Sequence, residues 1–386
     1  MLTLPVYLDN HATTRTDPRV VEAMLPFFGT TYGNASSGSH RFGWDAAEAV
    51  ERARGQVAAL LGAEPREVVF TSGATEANNL AIKGVVAGLR AKGNHLVTAA
   101  GEHRSVLDPF KRLRREGWDL TVVAPDADGL VSAGAIAGAI TDRTVLVSVM
   151  AASNEVGTIN PIDEIGRLCR SRGVVFHTDA TQAVGKVPLS VREAGVGLLS
   201  LSGHKMYAPK GVGALFVGRD GPPVRLTPLF DGGGQERGLR SGTVAVPLVV
   251  ALGAAAEIAG REREAESARV LALRDRLHAG IVGRLDGVRL HGHPTRRLPG
   301  NLNLGFPWVD DKGLMLAMTD VAVSSGAACS AGEPGPSHVL TAMGVDEPLA
   351  RVSLRFGLGR FTTEDEVDFA ADFVTRTVGW LRSRVS

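Results

Sequence analysis

The sequence is poor in cysteine, because only Cys169 and Cys329 occur in 386 residues. Two thiols cannot form a disulfide framework or a metal cage of several cysteines, so a reducing compartment fits this chain best. Cys169 lies in a stretch with a helical pattern, where a free cysteine usually packs as a small apolar side chain. Cys329 lies among glycine, alanine and serine residues, which is typical of a loop, and is a candidate for chemistry.

An excess of charge of one sign and long apolar runs are also missing. Lysine and arginine number 42 against 41 aspartates and glutamates, so no direct binding to nucleic acid or to a membrane is predicted. The most apolar long segment, residues 244–260, is interrupted by Pro247 and Glu257 and is shorter than the roughly 20 residues of a membrane span. The N-terminus lacks the pattern of a secretory signal. We therefore expect a cytoplasmic protein.

The chain does have the length for two domains and a regular alternation of strand and helix patterns. From residue 67 to residue 217 the alternation is typical of βαβ units and a mainly parallel sheet. Seven strands are predicted there, at residues 68–71, 95–100, 120–123, 145–150, 174–178, 198–201 and 213–217. Polar residues that follow these strands matter most, because ligands bind beyond the carboxyl ends of strands in such sheets.

A long helix predicted over residues 248–284 leads to a second, smaller α/β unit. Its predicted strands are at residues 288–290, 301–304, 321–324 and 352–356. Its predicted helices are at residues 312–318, 337–343 and 363–383. The chain as a whole is therefore predicted to be an α/β protein with one large and one small unit.

Three segments that follow predicted strands could carry chemistry. Gly73 and Thr75 stand at a helix start, where free N–H groups and a hydroxyl suit a phosphate, although an ordinary capped helix has the same pattern. Asp179 could pair with a protonated ring nitrogen, or it could cap the next helix. Lys205 could form a covalent bond through its amine, or it could be a solvated surface charge.

The order of these segments favours the functional interpretation. A helix-start anion site, an acid after a later strand and Ser-x-His-Lys after the next strand resemble the aspartate aminotransferase fold, which is fold type I of the pyridoxal phosphate (PLP) enzymes. Further motifs, together spanning nearly the whole chain, are similar to those of the cysteine desulfurases, in their longer-loop subgroup. They are LDNHATT (8–14), SGATE (72–76), NEVG (154–157), HTDATQ (177–182), SGHK (202–205), RSGT (240–243), SSGAAC (324–329) and LRF (354–356).

The resemblance implies the domain arrangement and the assembly. A large PLP-binding domain with a seven-stranded sheet would span residues 15–255. A small α/β domain would combine residues 1–14 with residues 256–386 and carry the cysteine loop. The protein would be a homodimer, in which the segment around Thr243 completes the active site of the other subunit.

The resemblance also assigns residues to the cofactor, and no metal is expected. Lys205 would hold PLP covalently, Asp179 would pair with its protonated ring nitrogen, and Gln182 would contact its phenolic oxygen, with Asn154 nearby. The phosphate would be held by residues of three segments and of the other subunit, namely Ala74, Thr75, Ser202, His204 and Thr243.

A second group of residues would bind and convert L-cysteine, the substrate that the resemblance implies. Arg355 would bind its carboxylate through the guanidinium fork, next to Asn154. His103 would stack on the cofactor ring and could relay protons. Lys205 would remove the Cα proton, and the Cys329 thiolate would take the sulfur as a persulfide and leave alanine. A sulfur-acceptor protein would then receive the sulfur.

Two alternatives stay open. The first is another enzyme of the same fold: a selenocysteine lyase, a cysteine sulfinate desulfinase or a class V aminotransferase, the last disfavoured because transamination needs no thiol such as Cys329. The second is a PLP-free scaffold protein, which the intact set of Lys205, Asp179, His204 and Thr75 disfavours. The destination of the sulfur is also open, because iron–sulfur clusters, thiolated tRNA, cofactor synthesis and phosphorothioate DNA all draw on the same site chemistry.

Overall fold

The computed structural model describes residues 2–222, 224–325 and 335–384, so Cys329 lies outside the described residues. Its main feature is a seven-stranded sheet. The strands are β2 (Val68–Thr71), β3 (His95–Ala99), β4 (Asp119–Val123), β5 (Thr144–Ser148), β6 (Val175–Asp179), β7 (Leu198–Ser202) and β8 (Gly213–Val217). Their order is β2-β8-β7-β6-β5-β3-β4, and all neighbours are parallel except β8, which is antiparallel to both β2 and β7. The predicted mainly parallel sheet of seven strands is confirmed.

Helices cover both faces of this sheet. The helices of the described chain are α1 (Pro18–Met24), α2 (Pro26–Gly29), α3 (Arg41–Leu61), α4 (Ala74–Leu89), α5 (Arg104–Arg115), α6 (Ala133–Ala139), α7 (Ile162–Ser171), α8 (Val246–Val282), α9 (Asp311–Ala317), α10 (His338–Ala342), α11 (Glu347–Arg351) and α12 (Glu364–Arg382). Helices α3, α7 and α8 pack on one face, and α4 and α5 pack on the other. Because successive side chains of a strand point to opposite faces, they pack in different cores. Leu198 packs on the face that α4 covers, and Leu199 packs on the face that α3, α7 and α8 cover.

A second, smaller sheet lies in the C-terminal part. The remaining strands are β1 (Val6–Tyr7), β9 (Arg289–His291), β10 (Asn301–Gly305), β11 (Val321–Ala322), β12 (Ser324–Ser325) and β13 (Ser353–Gly357). Strands β12-β13-β10-β9 form an antiparallel sheet, and β1 pairs in parallel with β11. The prediction of a single strand at residues 321–324 was wrong. The chain forms two short strands there, because it leaves one sheet after Ala322 and enters the other at Ser324.

Helix α8 connects the two units. Its first half, with Leu252 and Ala255, is buried in the core of the large sheet, and its second half, with Leu273 and Leu277, is buried in the core of the small one. The domain boundaries at residues 14/15 and 255/256 stay a prediction. None of the helices in the described ranges combines the length and the apolar character needed to cross a bilayer.

Candidate active site

Lys205 ends a short helical turn, Gly203–Lys205, that directly follows β7. Its Nζ donates hydrogen bonds to the carbonyl oxygens of His11 and Ala12, the latter at 2.5 Å. Just beyond these residues, Thr14 donates from both its backbone nitrogen and its hydroxyl to the carbonyl oxygen of His204, each at 3.0 Å. The N-terminal segment therefore fixes the lysine in place, unlike a solvated surface lysine.

Asp179 is the last residue of β6 and is only 6% exposed. Its Oδ2 accepts a hydrogen bond from Asn78 Nδ2 at 2.8 Å, and its Oδ1 accepts one from the backbone nitrogen of Thr181 at 3.0 Å. Across the described residues, no lysine or arginine forms an ion pair with it. A buried carboxylate without a cation is unfavourable unless a ligand supplies positive charge, and a protonated ring nitrogen would supply it.

A chain of hydrogen bonds links Asp179 to His103. Asn78 Nδ2 also lies 2.8 Å from Ser105 Oγ, which in turn lies 2.8 Å from His103 Nδ1. The backbone nitrogen of Ser105 donates to the same Nδ1 at 3.1 Å, so this atom carries no hydrogen and Nε2 does. Burial is the main reason why the pKa of His103 is lowered, which keeps the ring neutral at pH 7. Sequence reasoning assigned no role to Asn78 or Ser105.

A candidate phosphate site lies where α4 begins. Gly73 precedes the helix with φ +153° and no side chain caps the helix N-terminus, so its first N–H groups suit an anion. A Cβ placed on Gly73 would lie 3.7 Å from Ser202 Oγ, which shows how closely the end of β7 approaches. Ala74, Thr75 and Ser202, predicted to hold a phosphate, therefore come together.

His204 and Gln182 are two further residues that the sequence predicts to contact the cofactor. His204 Nδ1 lies 3.1 Å from Thr13 Oγ1, and burial, followed by nearby Lys205, lowers the pKa of His204 to about 4. Gln182 is 4% exposed and contacts His11 with both ends of its amide. Its Oε1 lies 3.0 Å from His11 Nδ1, and its Nε2 donates to the His11 carbonyl oxygen at 3.0 Å.

Arg355, on β13, brings the small sheet to the site. It is 1% exposed, and its Nη1 donates to the carbonyl oxygen of Asn154 at 2.9 Å. Its Nη2 forms an ion pair with Asp9 Oδ1, also at 2.9 Å. The two residues predicted to bind the substrate carboxylate, Arg355 and Asn154, are thus in direct contact. Sequence reasoning assigned no role to Asp9.

The described chain resumes beyond the cysteine segment close to the site. The Ser337 hydroxyl donates to Glu155 Oε2, next to Asn154, and His338 Nε2 lies 2.9 Å from the carbonyl oxygen of Glu102, next to His103. The other cysteine, Cys169, is fully buried in the large core, where burial raises the pKa of its thiol to about 12. Its expected role as a core side chain agrees with this position.

The segment that leads to Thr243 is anchored by a buried ion pair. Glu236 accepts from Arg54 Nη1 and Nη2 at 2.7 and 2.8 Å and from the backbone nitrogen of Phe70 at 2.8 Å. The backbone of Glu236 is left-handed, with φ +49°. Further along, Arg240 pairs with Glu76 in the first turn of α4 at 2.8 Å. Thr243 itself is exposed, so this segment is held firmly while its end stays accessible.

Glu236→Gln is expected to destabilise the fold by about 3 kcal/mol, because it removes the buried carboxylate of the pair and leaves the buried Arg54 guanidinium with the solvent-exposed Glu51 as its ionic partner. Urea unfolding measures the change. Glu48→Gln is the matched control, since Glu48 pairs with Arg52 at 3.6 Å on the surface and should cost less than about 0.5 kcal/mol. Equal losses in the two variants would show that the buried pair does not anchor the segment.

A lysine fixed at a strand end, a buried carboxylate that needs a cation and an anion site at a helix start define a PLP-dependent enzyme of fold type I. The family model of the class-V aminotransferases matches residues 6–369. The chain therefore belongs to the class-V aminotransferase family, and it is similar over nearly its whole length to proteins named cysteine desulfurase.

Two known proteins illustrate this relationship. Cysteine desulfurase IscS of Anaeromyxobacter dehalogenans (strain 2CP-C) is 54% identical over 379 residues, which is 98% of this chain and 94% of the relative. Cysteine desulfurase IscS of Rickettsia bellii (strain OSU 85-389) is 51% identical over 381 residues, or 99% and 93% of the two chains. The predicted cysteine desulfurase with PLP as its cofactor is confirmed by these relatives.

Solved structures agree with the fold. A NifS-like protein superposes with a TM-score of 0.90 at 36% identity, covering 98% of this chain and 100% of that chain. SspA in complex with cysteine superposes with a TM-score of 0.81 at 36% identity, covering 94% and 100% of the two chains. The predicted PLP fold type I is confirmed.

Proposed function

We propose that this enzyme removes sulfur from L-cysteine and leaves L-alanine and a persulfide on Cys329. The observation that carries the proposal is the position of Lys205 after β7, where the N-terminal segment fixes it, together with the buried Asp179 at the end of β6, which pairs with no lysine or arginine in the described part of the chain. Cys329 is the second thiol of the chain, and the first one, Cys169, is buried in the core. The role of Cys329 is inferred from the motif, since the residue lies outside the described ranges.

The residues that would hold PLP come from the ends of β6 and β7 and the start of α4. Lys205 would bind it covalently, Asp179 would keep its ring nitrogen protonated, and Gln182 would donate to its phenolic oxygen. Once bound, PLP supplies an electron sink that stabilises negative charge at the substrate Cα. The phosphate would be held at the α4 N-terminus by Ala74, Thr75, Ser202 and His204, with Thr243 of the other subunit.

The carboxylate of the substrate would be bound by Arg355, which lies beside Asn154. The bidentate geometry of a guanidinium suits a carboxylate, and Asp9 would keep the guanidinium oriented. The Lys205 amine would take the Cα proton. His103 would stack on the cofactor ring with its Nε2–H as a hydrogen-bond donor, because Nδ1 already accepts from the Ser105 backbone.

Sulfur transfer would be carried out by Cys329. Its thiolate attacks the substrate sulfur, so that an S–S bond forms and the substrate Cβ–S bond breaks. The electron pair of the broken bond stays with the substrate, which takes up protons and leaves as alanine. A thiol has an ordinary pKa of about 8.5, so a minority of Cys329 would be ionised at neutral pH without help from its surroundings.

Asn78→Leu is expected to weaken PLP binding about 10- to 100-fold, because it removes a hydrogen bond to the buried, charged Asp179, worth about 1.5–3 kcal/mol. A fluorescence titration of the apoenzyme with PLP measures the change. Asn79→Leu is the matched control, since the Asn79 side chain bonds to the Thr75 carbonyl of its own helix at 2.9 Å. The proposed support of Asp179 is refuted if both variants bind PLP equally well.

The partners follow from the same proposal. A homodimer is supported by several exposed aromatic side chains within residues 28–44, where Phe28 is 61%, Tyr32 65% and Trp44 57% exposed and the rings of Tyr32 and Phe42 lie 5.4 Å apart. A sulfur-acceptor protein would take the persulfide sulfur from Cys329.

A cytoplasmic location suits the free thiol of Cys169. Light scattering of the purified chain tests the assembly, and a mass of about 40.5 kDa, that of one chain, would contradict the dimer.

The cofactor and the substrate are tested together. Borohydride treatment of the yellow protein should fix PLP on the peptide that contains Lys205, as mass spectrometry would show. Alanine release from cysteine should exceed release from cysteine sulfinate and selenocysteine. A colourless protein that PLP does not reconstitute would contradict the enzyme, and a preference for either other substrate would contradict the desulfurase.

A further inference from the structure

A second lysine lies behind the site and has no role in the scheme above. Lys186 is partly buried in the turn after β6, four residues beyond Gln182. Its Nζ lies 3.0 Å from Gln182 Oε1. Its backbone carbonyl accepts a hydrogen bond from the Ser267 hydroxyl of α8 at 2.7 Å, which ties the turn to this helix.

The contacts of Gln182 fix the orientation of its amide. The His11 carbonyl oxygen can only accept, so the atom that faces it at 3.0 Å is the amide nitrogen. The amide oxygen then faces Lys186 Nζ and His11 Nδ1, both at 3.0 Å. One of the two N–H groups of Nε2 donates to His11, and within the described ranges the other has no hydrogen-bond partner and could meet a ligand. Lys186 therefore holds the end of the amide opposite to the end that would meet a phenolic oxygen.

Lys186 also contributes charge. The titratable and charged groups that act on it or respond to it are Lys205, Glu266, Arg355, His11 and His204. Burial, followed by the charge of Lys205, lowers the pKa of Lys186 to about 7, and Glu266 opposes this effect. Because the two lysine charges repel each other, loss of the charge at Lys205 favours the charged form of Lys186.

We propose that Lys186 is a positioning residue, which holds the Gln182 amide with its N–H edge toward the phenolic oxygen of PLP and electrostatically favours the uncharged form of the Lys205 nitrogen. The proposal rests on the proposed function. Both effects have the same sign: a donor to the phenolic oxygen and a nearby cation each favour proton loss from the Lys205-linked nitrogen. Removal of Lys186 should therefore raise the pH at which this proton is lost.

The test is a pH titration of the visible absorbance of the full-length holoenzyme. In Lys186→Met, which keeps the length of the side chain and removes donor and charge, the midpoint should rise by about one pH unit. Lys186→Arg keeps the hydrogen-bond donor and the charge, so its midpoint should stay within a few tenths of a pH unit of the parent value. Lys312→Met, an exposed lysine of α9, is the matched control and should titrate like the parent enzyme. A folded Lys186→Met holoenzyme with an unshifted midpoint overturns the proposal.

A second variant keeps the proposal testable if Lys186→Met does not fold. Lys186→Gln keeps an N–H donor near Gln182 and removes the charge, so its midpoint should rise by a smaller amount, and an unshifted midpoint again overturns the proposal. Failure of the proposed function has a different signature, because the parent protein would then show no cofactor absorbance to titrate.

Discussion

Lys205→Ala is expected to abolish alanine release from L-cysteine, with a fall in kcat of at least about 10³-fold. Two tasks disappear together: covalent attachment of PLP and removal of the Cα proton. The group that is lost is the Nζ that contacts the His11 and Ala12 carbonyl oxygens. The measurement is alanine released by the PLP-saturated variant, followed over time.

Lys92→Ala is the control for this variant. Lys92 is exposed beyond the end of α4, and its replacement should leave kcat unchanged. If Lys205→Ala keeps a tenth or more of the parent kcat, or if borohydride still fixes PLP on the variant, the covalent attachment belongs to another residue.

Cys329→Ser is expected to abolish persulfide formation while the cofactor stays bound. The serine hydroxyl is not a thiolate nucleophile, so persulfide formation should fall below detection, and sulfide release with it. The cofactor should stay bound, since Lys205, Asp179 and the phosphate site are untouched. Measurements of protein-bound persulfide and of cofactor absorbance on the same sample separate these two functions.

Cys169→Ala provides the matched thiol control. Cys169 is buried in the large core, and burial raises the pKa of its thiol to about 12, so it is not a nucleophile at neutral pH. This variant should form the persulfide normally. Persulfide that survives in Cys329→Ser and disappears in Cys169→Ala would reverse the assignment.

Much of the fold could be predicted because its central strands are buried on both faces. The continuous apolar runs of β6 and β7 mark strands, so the sequence alone locates Asp179 and Lys205 at strand ends. The single strand predicted at residues 321–324 was wrong because local pattern does not encode which sheet a residue joins. Helix α3 was not predicted, although Ala46, Val50, Ala53 and Val57 repeat at helical spacing along its buried face.

The motif residues of the site could be predicted, but most of their supporting contacts could not. Asn78 is a polar residue on the buried face of a helix, and nothing near it in sequence points to Asp179, 101 residues away. The ion pair of Arg355 with Asp9 joins residues 346 positions apart. Sequence reasoning assigned no role to Lys186, whose Nζ contacts the Gln182 amide four residues earlier in the chain. The contacts of Asn78 and Arg355 depend on how distant segments pack, and local sequence carries no signal for them.

The central claim is that this chain uses PLP on Lys205 to transfer sulfur from L-cysteine. The most direct test is the product balance of the purified, PLP-saturated enzyme with L-cysteine and a reducing thiol. We expect alanine and sulfide in equal amounts, together with a Cys329 persulfide when the thiol is left out. Pyruvate and ammonia in place of alanine, or alanine without an equal amount of sulfide, would contradict it.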